Sequence, residues 1–393
     1  MRNQRRFGYF ALLASSMLIL GACTSGTIDV GKGLCREIGD NVAEPLPSVE
    51  ATGESDLVIG VVTDVGSLDD RNFNQFSWEG ALLGAATIGA AEPTAVVTQD
   101  DSEYAANIQS QVDAGSDIII TVGFAIGAAT LEAATENPDV HFIGVDQFQT
   151  MAPEEALPNY ESLIYNEAQA GYLAGIVAAS LSESGSVAAL GGHSNIPPVV
   201  NYMRGFQNGA LATNEDANVI LEYVTDSDLT LAFNDPASGK TFAEQFLAQN
   251  EDVDVLFQVA GKTGNGMLQA VEEAGIYAIG VDVDQWVSTP DSAECIVTSA
   301  EKKLSASVSE AIVDFAAGEE RSWNVFLNAA EGMVGLAPYY QFDEVITDDI
   351  QGTIDNAFDA MVDGSLDVCQ PERWESGTDS NCYFGGGDGD PGT

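Results

Sequence analysis

The chain reads as an α/β protein of two similar lobes, each a parallel sheet with helices on both faces. Two observations predict this. From residue 56 onward, short apolar strands rich in β-branched residues alternate with helical patterns. Such alternation builds parallel sheets that are covered on both faces. The strand–helix units are also more numerous than one sheet usually carries, so the 393-residue chain divides into two lobes.

The N-terminus reads as an export signal. Arg2, Arg5 and Arg6 form a basic start, and residues 7–20 are an apolar run too short to span a membrane as a mature helix. Leu20-Gly21-Ala22-Cys23 matches the bacterial lipobox. Residues 1–22 are therefore read as a lipoprotein signal peptide, with Cys23 as the lipidated residue. More than one acyl chain on that cysteine would give a firm anchor. An ordinary signal peptide with a chance cysteine fits less well, because a polar Gly- and Ser-containing stretch follows at once. The protein is thus expected to be exported and anchored at the outer face of the cytoplasmic membrane or in the periplasm. Residues 23–55 read as a flexible tether.

Strands follow near 57–63, 94–98, 117–122, 140–145, 186–190, 218–223, 253–258, 276–282 and 295–299. Helices fill most of the gaps. In the helix over 73–90, Trp78, Leu82, Ala85 and Ile88 share one face at helical spacing. The Gly- and Asp-rich end, residues 366–393, reads as a loose tail.

Charge narrows the partners. From Cys23 onward ten basic residues meet 61 acidic ones, a net charge of −51. Nucleic acid and anionic lipid would be repelled by such a surface. The acidity fits a saline habitat or a compositional bias of the genome, and the residues do not choose between them. Four cysteines remain beyond Cys23, namely Cys35, Cys295, Cys369 and Cys382. In an exported protein an even count points to two disulfides. Three pairings are open, and Cys369 with Cys382 is preferred as a local pair. Their spacing is not that of a zinc site, and His141 and His193 are the only histidines, so neither a metal nor a cofactor is expected.

The segment over 58–81, VIGVVTDVGSLDDRNFNQFSWEGA, carries the most information. An apolar strand ends in Thr63-Asp64-Val65-Gly66, and a helix follows. Asp64 then sits at the carboxyl end of a strand, where open α/β sheets place ligands. Asp69, Asp70, Asn72 and Asn74 crowd the same loop with Phe73 among them, a hydroxyl-binding set beside a stacking ring. Gly261-Lys262-Thr263 looks like the end of a phosphate-binding loop, but Leu256 stands where that loop needs glycine.

Asp64, Gly66, Asp69-Asp70, Asn72-Phe73-Asn74-Gln75 and Trp78-Glu79-Gly80 resemble the opening of the basic membrane protein family of substrate-binding lipoproteins. The best-understood type in that family is the purine nucleoside receptor of bacterial ABC importers. Asn72 stands where Ser is usual. Later blocks resemble it equally, from about residue 57 to 363. They include Tyr165-Asn166-Glu167, Gly171 to Gly175, Gly191-Gly192, Gly205-Phe206, the turn over 233–240 with Asp235, and the run from Phe257 to Gly261. Thr263 to Gly266, Ile279 to Gln285 and Thr298 to Lys302 complete the set.

The resemblance implies the type I periplasmic-binding-protein fold, two Rossmann-like lobes joined by a three-strand hinge. The N-terminal lobe is then 56–164 plus 297–331, and the C-terminal lobe is 165–296 plus 332–365. Crossings are expected at Leu163-Ile164-Tyr165, between 284 and 299, and at 332–337. It also implies a monomeric, non-catalytic receptor that closes over a purine nucleoside and delivers it to an ABC permease.

For ligand contacts, Asp64, Asp146 and Asp282 each end an apolar strand. Ionised carboxylates accept the paired hydroxyls of a ribose, although each Asp could instead cap the next helix. Of Asp282 and Asp284, one is expected to bind and the other to cap, with Asp282 preferred for binding. Phe73 and Phe257 are expected to sandwich a flat base, one from each lobe. Asn74 either reads the base edge or caps. Gly261 and Lys302 are carried over from the family, with Lys302 donating to a ribose oxygen or neutralising nearby Asp residues. Phosphate would meet carboxylates, which favours nucleosides over nucleotides. A same-fold receptor for a sugar or another heterocycle, and a nucleoside hydrolase, are the competing readings.

Overall fold

The computed structural model describes residues 33–41, 54–149, 153–319 and 321–369. The signal peptide, Cys23, Cys382 and most of the tail lie outside them. No helix among the described residues is long and apolar enough to cross a membrane.

The first sheet begins with β1 (Ile59–Val65), whose apolar residues are buried on both faces. It continues with β2 (Thr94–Thr98), β3 (Ile118–Val122), β4 (His141–Val145) and β5 (Tyr160–Tyr165). Helices α1 (Phe73–Ile88), α2 (Tyr104–Asp113) and α3 (Gly127–Glu136) connect them. The chain then passes at Asn166 into α4 (Glu167–Leu181) and builds a second sheet. Its strands are β6 (Ser186–His193), β7 (Asn218–Thr225), β8 (Val255–Val259), β9 (Tyr277–Asp282) and β10 (Ile296–Lys302). Between them lie α5 (Pro197–Thr213), α6 (Leu229–Phe233), α7 (Pro236–Gln249), α8 (Gly261–Ala274) and α9 (Gln285–Ser288). After Lys302 the chain returns to the first lobe as α10 (Leu304–Ala317) and β11 (Trp323–Leu327). It crosses once more to β12 (Val334–Leu336) and α11 (Asp348–Val362).

The two sheets have the same plan. Their strand orders are β11-β5-β4-β3-β1-β2 and β12-β10-β9-β8-β6-β7. All pairings in the first are parallel, and in the second only β10–β12 is antiparallel. The second crossing falls after Lys302, not between 284 and 299. The strand read as a crossing is the fifth strand of the second sheet, so the lobe boundary expected at 296/297 moves to the start of α10. Strand β11 was not anticipated. It is a half-buried edge strand of five residues that starts at Trp323 with φ +73°.

Helix α1 buries Ala85 and Ile88 of the expected face, but the buried stripe is rotated away from Trp78 and Leu82. Its buried stripe is Asn74, Ser77, Gly80, Ala81, Gly84, Ala85 and Ile88, while Trp78 and Leu82 stay half-exposed. Small residues are required because α10 packs directly against it: a methyl on Gly80 would lie 2.8 Å from the Ser305 carbonyl. The same logic joins α4 to α5. Methyls on Gly171, Gly175, Gly205 and Gly209 would all lie within 2.2 Å of the facing helix backbone. This close pair holds Glu167 and Tyr202 beside β10.

Part of the expected tether is fixed. The Leu34 N–H donates to the Gly275 carbonyl and the Arg36 N–H to the Glu294 carbonyl, at 2.9 and 2.8 Å. Between them Cys35 is disulfide-bonded to Cys295. This bond is the one that the preferred Cys369–Cys382 pairing leaves over. That second pair reaches Cys382, beyond the described residues.

Candidate functional site

Strand ends from both lobes line one cavity. The first lobe contributes Asp64, Phe73, Asn74, Phe124 and Asp146. The second contributes Tyr202, Phe233, Gly261, Lys262, Asp282 and Lys302.

Lys302, the last residue of β10, is the centre of one end. Its ammonium lies 2.5 Å from Asp146 Oδ2, 3.2 Å from Glu167 Oε1 and 3.6 Å from Asp282 Oδ1. Three aromatic rings face it at 5.3–5.4 Å, those of Phe73, Tyr165 and Tyr202. Asp146 and Asp282 arrive by equivalent routes, because β4 and β9 hold the same place in their sheets. Each follows or ends its strand in the left-handed conformation, at φ +57° and +64°. Asp tolerates that region better than most residues, and the turn aims both carboxylates at one cation. Burial raises the Asp146 carboxyl to about 7, against the pull of Lys302. Burial also raises Asp282. The three carboxylates keep the Lys302 ammonium charged despite its burial, well above its ordinary range. Asp146 Oδ1 is buried and has no hydrogen-bond partner.

The other end is built on Asp64. Its Oδ1 accepts from the Tyr104 hydroxyl and, at 2.7 Å, from the Val65 N–H. Its Oδ2 lies over Gly123, where φ is +102° and an added methyl would sit 2.1 Å from that oxygen. Gly123→Ala is therefore expected to destabilise the protein by about 1–3 kcal/mol. An unchanged urea midpoint would contradict that placement of Asp64.

The loop before α1 divides its polar residues between structure and cavity. Asp70 accepts from the N–H groups of Asn72, Asn74 and Gln75 at 2.8, 2.9 and 3.1 Å, so it caps the helix. Asn74 lines the cavity, and its Oδ1 is buried without a partner. Asp69 is exposed. Asn72 is buried, and neither its Oδ1 nor its Nδ2 finds a partner.

Two expected contacts are not in the cavity. Phe257 is fully buried and packs on Phe206 and Tyr202, with ring centroids 5.4 and 5.9 Å apart. Alternate residues of a strand face opposite sides, and the side that carries Phe257 is closed by α5. The second-lobe ring in the cavity is Phe233, at the end of α6. Asp284 is taken up elsewhere: Oδ1 caps α9 at Trp286, and Oδ2 accepts from the Tyr340 hydroxyl. Gly261 opens α8 at φ +51° and lines the cavity. The Lys262 beside it donates to Ser67 across the cleft at 2.9 Å. Asn265 donates to the Asp70 carbonyl at 3.0 Å. Residues that sequence reasoning missed are Glu167, Tyr104, Phe124, Tyr202 and Phe233. Only Glu167 and Phe233 lay within segments already singled out.

Residues 57–358 match the family model described as ABC transporter substrate-binding protein, PnrA-like. The chain is 26% identical over 385 residues to the CD4+ T-cell-stimulating antigen of Listeria innocua, covering 92% of this chain and 97% of that one. It is 28% identical over 243 residues to the ABC transporter nucleoside-binding protein BmpA of Lactococcus lactis, covering 59% and 65%. Among solved structures it resembles an ABC transporter solute-binding protein from Aeropyrum pernix. The TM-score is 0.69 at 24% identity, over 81% of this chain and 94% of that one. A solute-binding protein from Conexibacter woesei gives 0.61 at 24% identity, over 79% and 97%. The architecture is the two-lobed type I periplasmic-binding fold.

Proposed function

Because this chain belongs to the PnrA-like family of ABC transporter substrate-binding proteins, it binds a solute without transforming it, and we propose that the solute is a purine nucleoside. The observation that carries this reading is the pair of buried, unpartnered acceptors on cavity-lining residues, Asp146 Oδ1 and Asn74 Oδ1. Buried acceptors of this kind cost free energy until a donor reaches them. A ribose supplies paired hydroxyl donors to Asp146 and Asp282, with Lys302 donating to a sugar oxygen. The flat ring lies between Phe73 and Phe124 on one side and Phe233 on the other, with Asp64 and Asn74 at its edge. Four lining carboxylates against two lysines disfavour a phosphate.

In this reading the receptor is a lipid-anchored monomer, tethered through Cys23 at the outer face of the membrane. The lobes close about the three crossings, and the closed form docks on an ABC permease. Links such as Lys262–Ser67 and Asn265–Asp70 support closure, because they span the cleft.

Base stacking on an aromatic ring is worth about 1–3 kcal/mol. Phe73→Ala and Phe233→Ala are each expected to weaken inosine binding about 5- to 150-fold by calorimetry. Phe257→Ala should instead lower the melting temperature by opening a core cavity. Equal effects of Phe233→Ala on a nucleoside and on a free pentose would refute the stacking. The direct test is mass spectrometry of ligand released by denaturing the purified protein. A nucleoside supports the reading, whereas a sugar, a nucleotide or a free base formed from added inosine overturns it.

A further inference from the structure

Asp64 is acceptor-only while ionised, yet burial pushes its carboxyl up to about 6. What holds it ionised at neutral pH is therefore decisive for what the cavity accepts. Two donors reach it, the Val65 N–H and the Tyr104 hydroxyl, both on Oδ1. The Val65 N–H is backbone and fixed. Tyr104 comes from the first turn of α2, 40 residues away in sequence, and its side chain is buried. The Tyr104 hydroxyl is itself pushed far above its ordinary range by burial and by Asp64, so the shared proton stays on the tyrosine. The other charged group bearing on Asp64 is Asp101, on the turn before α2, and it favours the protonated acid. Gly123, after β3, lies against Asp64 Oδ2, and the other charged residues lining the same cavity are Asp70, Asp146, Lys262, Asp282 and Lys302.

We propose that Tyr104 is the specificity-setting residue of this cavity: by donating to Oδ1 it keeps Asp64 an acceptor, so that Oδ2 takes a ligand edge bearing an N–H donor. It acts through Asp64 and is a positioning residue. The inference rests on the nucleoside reading. Without the tyrosine donor, the half-buried acid would retain its proton at higher pH. A protonated Asp64 presents a donor and prefers a ring nitrogen without hydrogen. The sign follows directly: ligands with N–H edges lose affinity as pH falls through the folded value near 6, and removing Tyr104 moves that loss upward in pH.

The probes are inosine, which has an N–H on the six-membered ring, and purine riboside, which offers only an acceptor there. For the wild type, calorimetry at about pH 8 should favour inosine at least tenfold. That preference should shrink several-fold by about pH 5. In Tyr104→Phe the same decline should begin at least one pH unit higher, with recovery toward wild-type preference at about pH 8. An unchanged preference in a folded Tyr104→Phe across this range overturns the inference. So does a flat preference in the wild type alone, a measurement that needs no variant. If the wild type binds neither compound at any pH, the nucleoside reading falls first and the inference with it.

Discussion

Replacing Lys302 with methionine will cost about 3–5 kcal/mol of stability near pH 8 and remove the nucleoside binding proposed above. The ammonium is the only cation within 4 Å of Asp146, Glu167 and Asp282 among the described residues. Breaking a buried ion pair from the cationic side leaves uncompensated charge, which is where losses of this size arise. The deficit has a defined pH dependence. Asp146 already titrates above its ordinary range, at about 7, and Asp282 is raised as well. A carboxyl raised in the folded state contributes stability at low pH and loses it as pH rises through the folded value. Without Lys302 both acids rise further, so the variant should recover much of its deficit near pH 5. Urea denaturation at the two pH values measures this, and an equal deficit at both would mean that the cluster is not held by charge.

The second large effect comes from the Cys35–Cys295 bond. The two cysteines are 260 residues apart, so the bond closes most of the folded chain into a loop. Chain-entropy reasoning gives about 5.5 kcal/mol as a ceiling for a loop of this size, and engineered cases usually show less. Replacing both cysteines with alanine should therefore lower the urea midpoint by an amount equivalent to about 2–5 kcal/mol, while inosine affinity stays unchanged. Neither cysteine lines the cavity. A shift in affinity would show that the bond also positions the strand leading to Lys302.

Much of the fold was legible because a parallel sheet covered on both faces leaves continuous apolar runs, as in β3 and β4. The strand-end carboxylates were legible for the same reason: where such a run stops, the next residue stands at the sheet edge. Which face a strand residue takes is not written in such a run, since both faces are apolar. That is why the sequence pattern points Phe257 to the cavity while the residue lies in the core. Phe233 and Phe124 sit in a five-residue helix and a loop, which have no periodicity to read. Tyr104 meets Asp64 only through tertiary packing. The boundary error at β10 has a similar origin, because a strand beside a crossing looks the same as the crossing.

The strand orders carry one more consequence. The first lobe is made of β1 to β5 and then, after the whole of β6 to β10, of α10 and β11. The second is completed only when the chain returns once more as β12 and α11. No single cut in the sequence releases either lobe whole. A fragment ending at Tyr165 would expose the β5 edge that β11 covers and the glycine face of α1 that α10 fills. Assembly of the first half must therefore wait for chain made long after it, and an exposed strand edge and an unfilled helix face are what a truncated product would present to its neighbours.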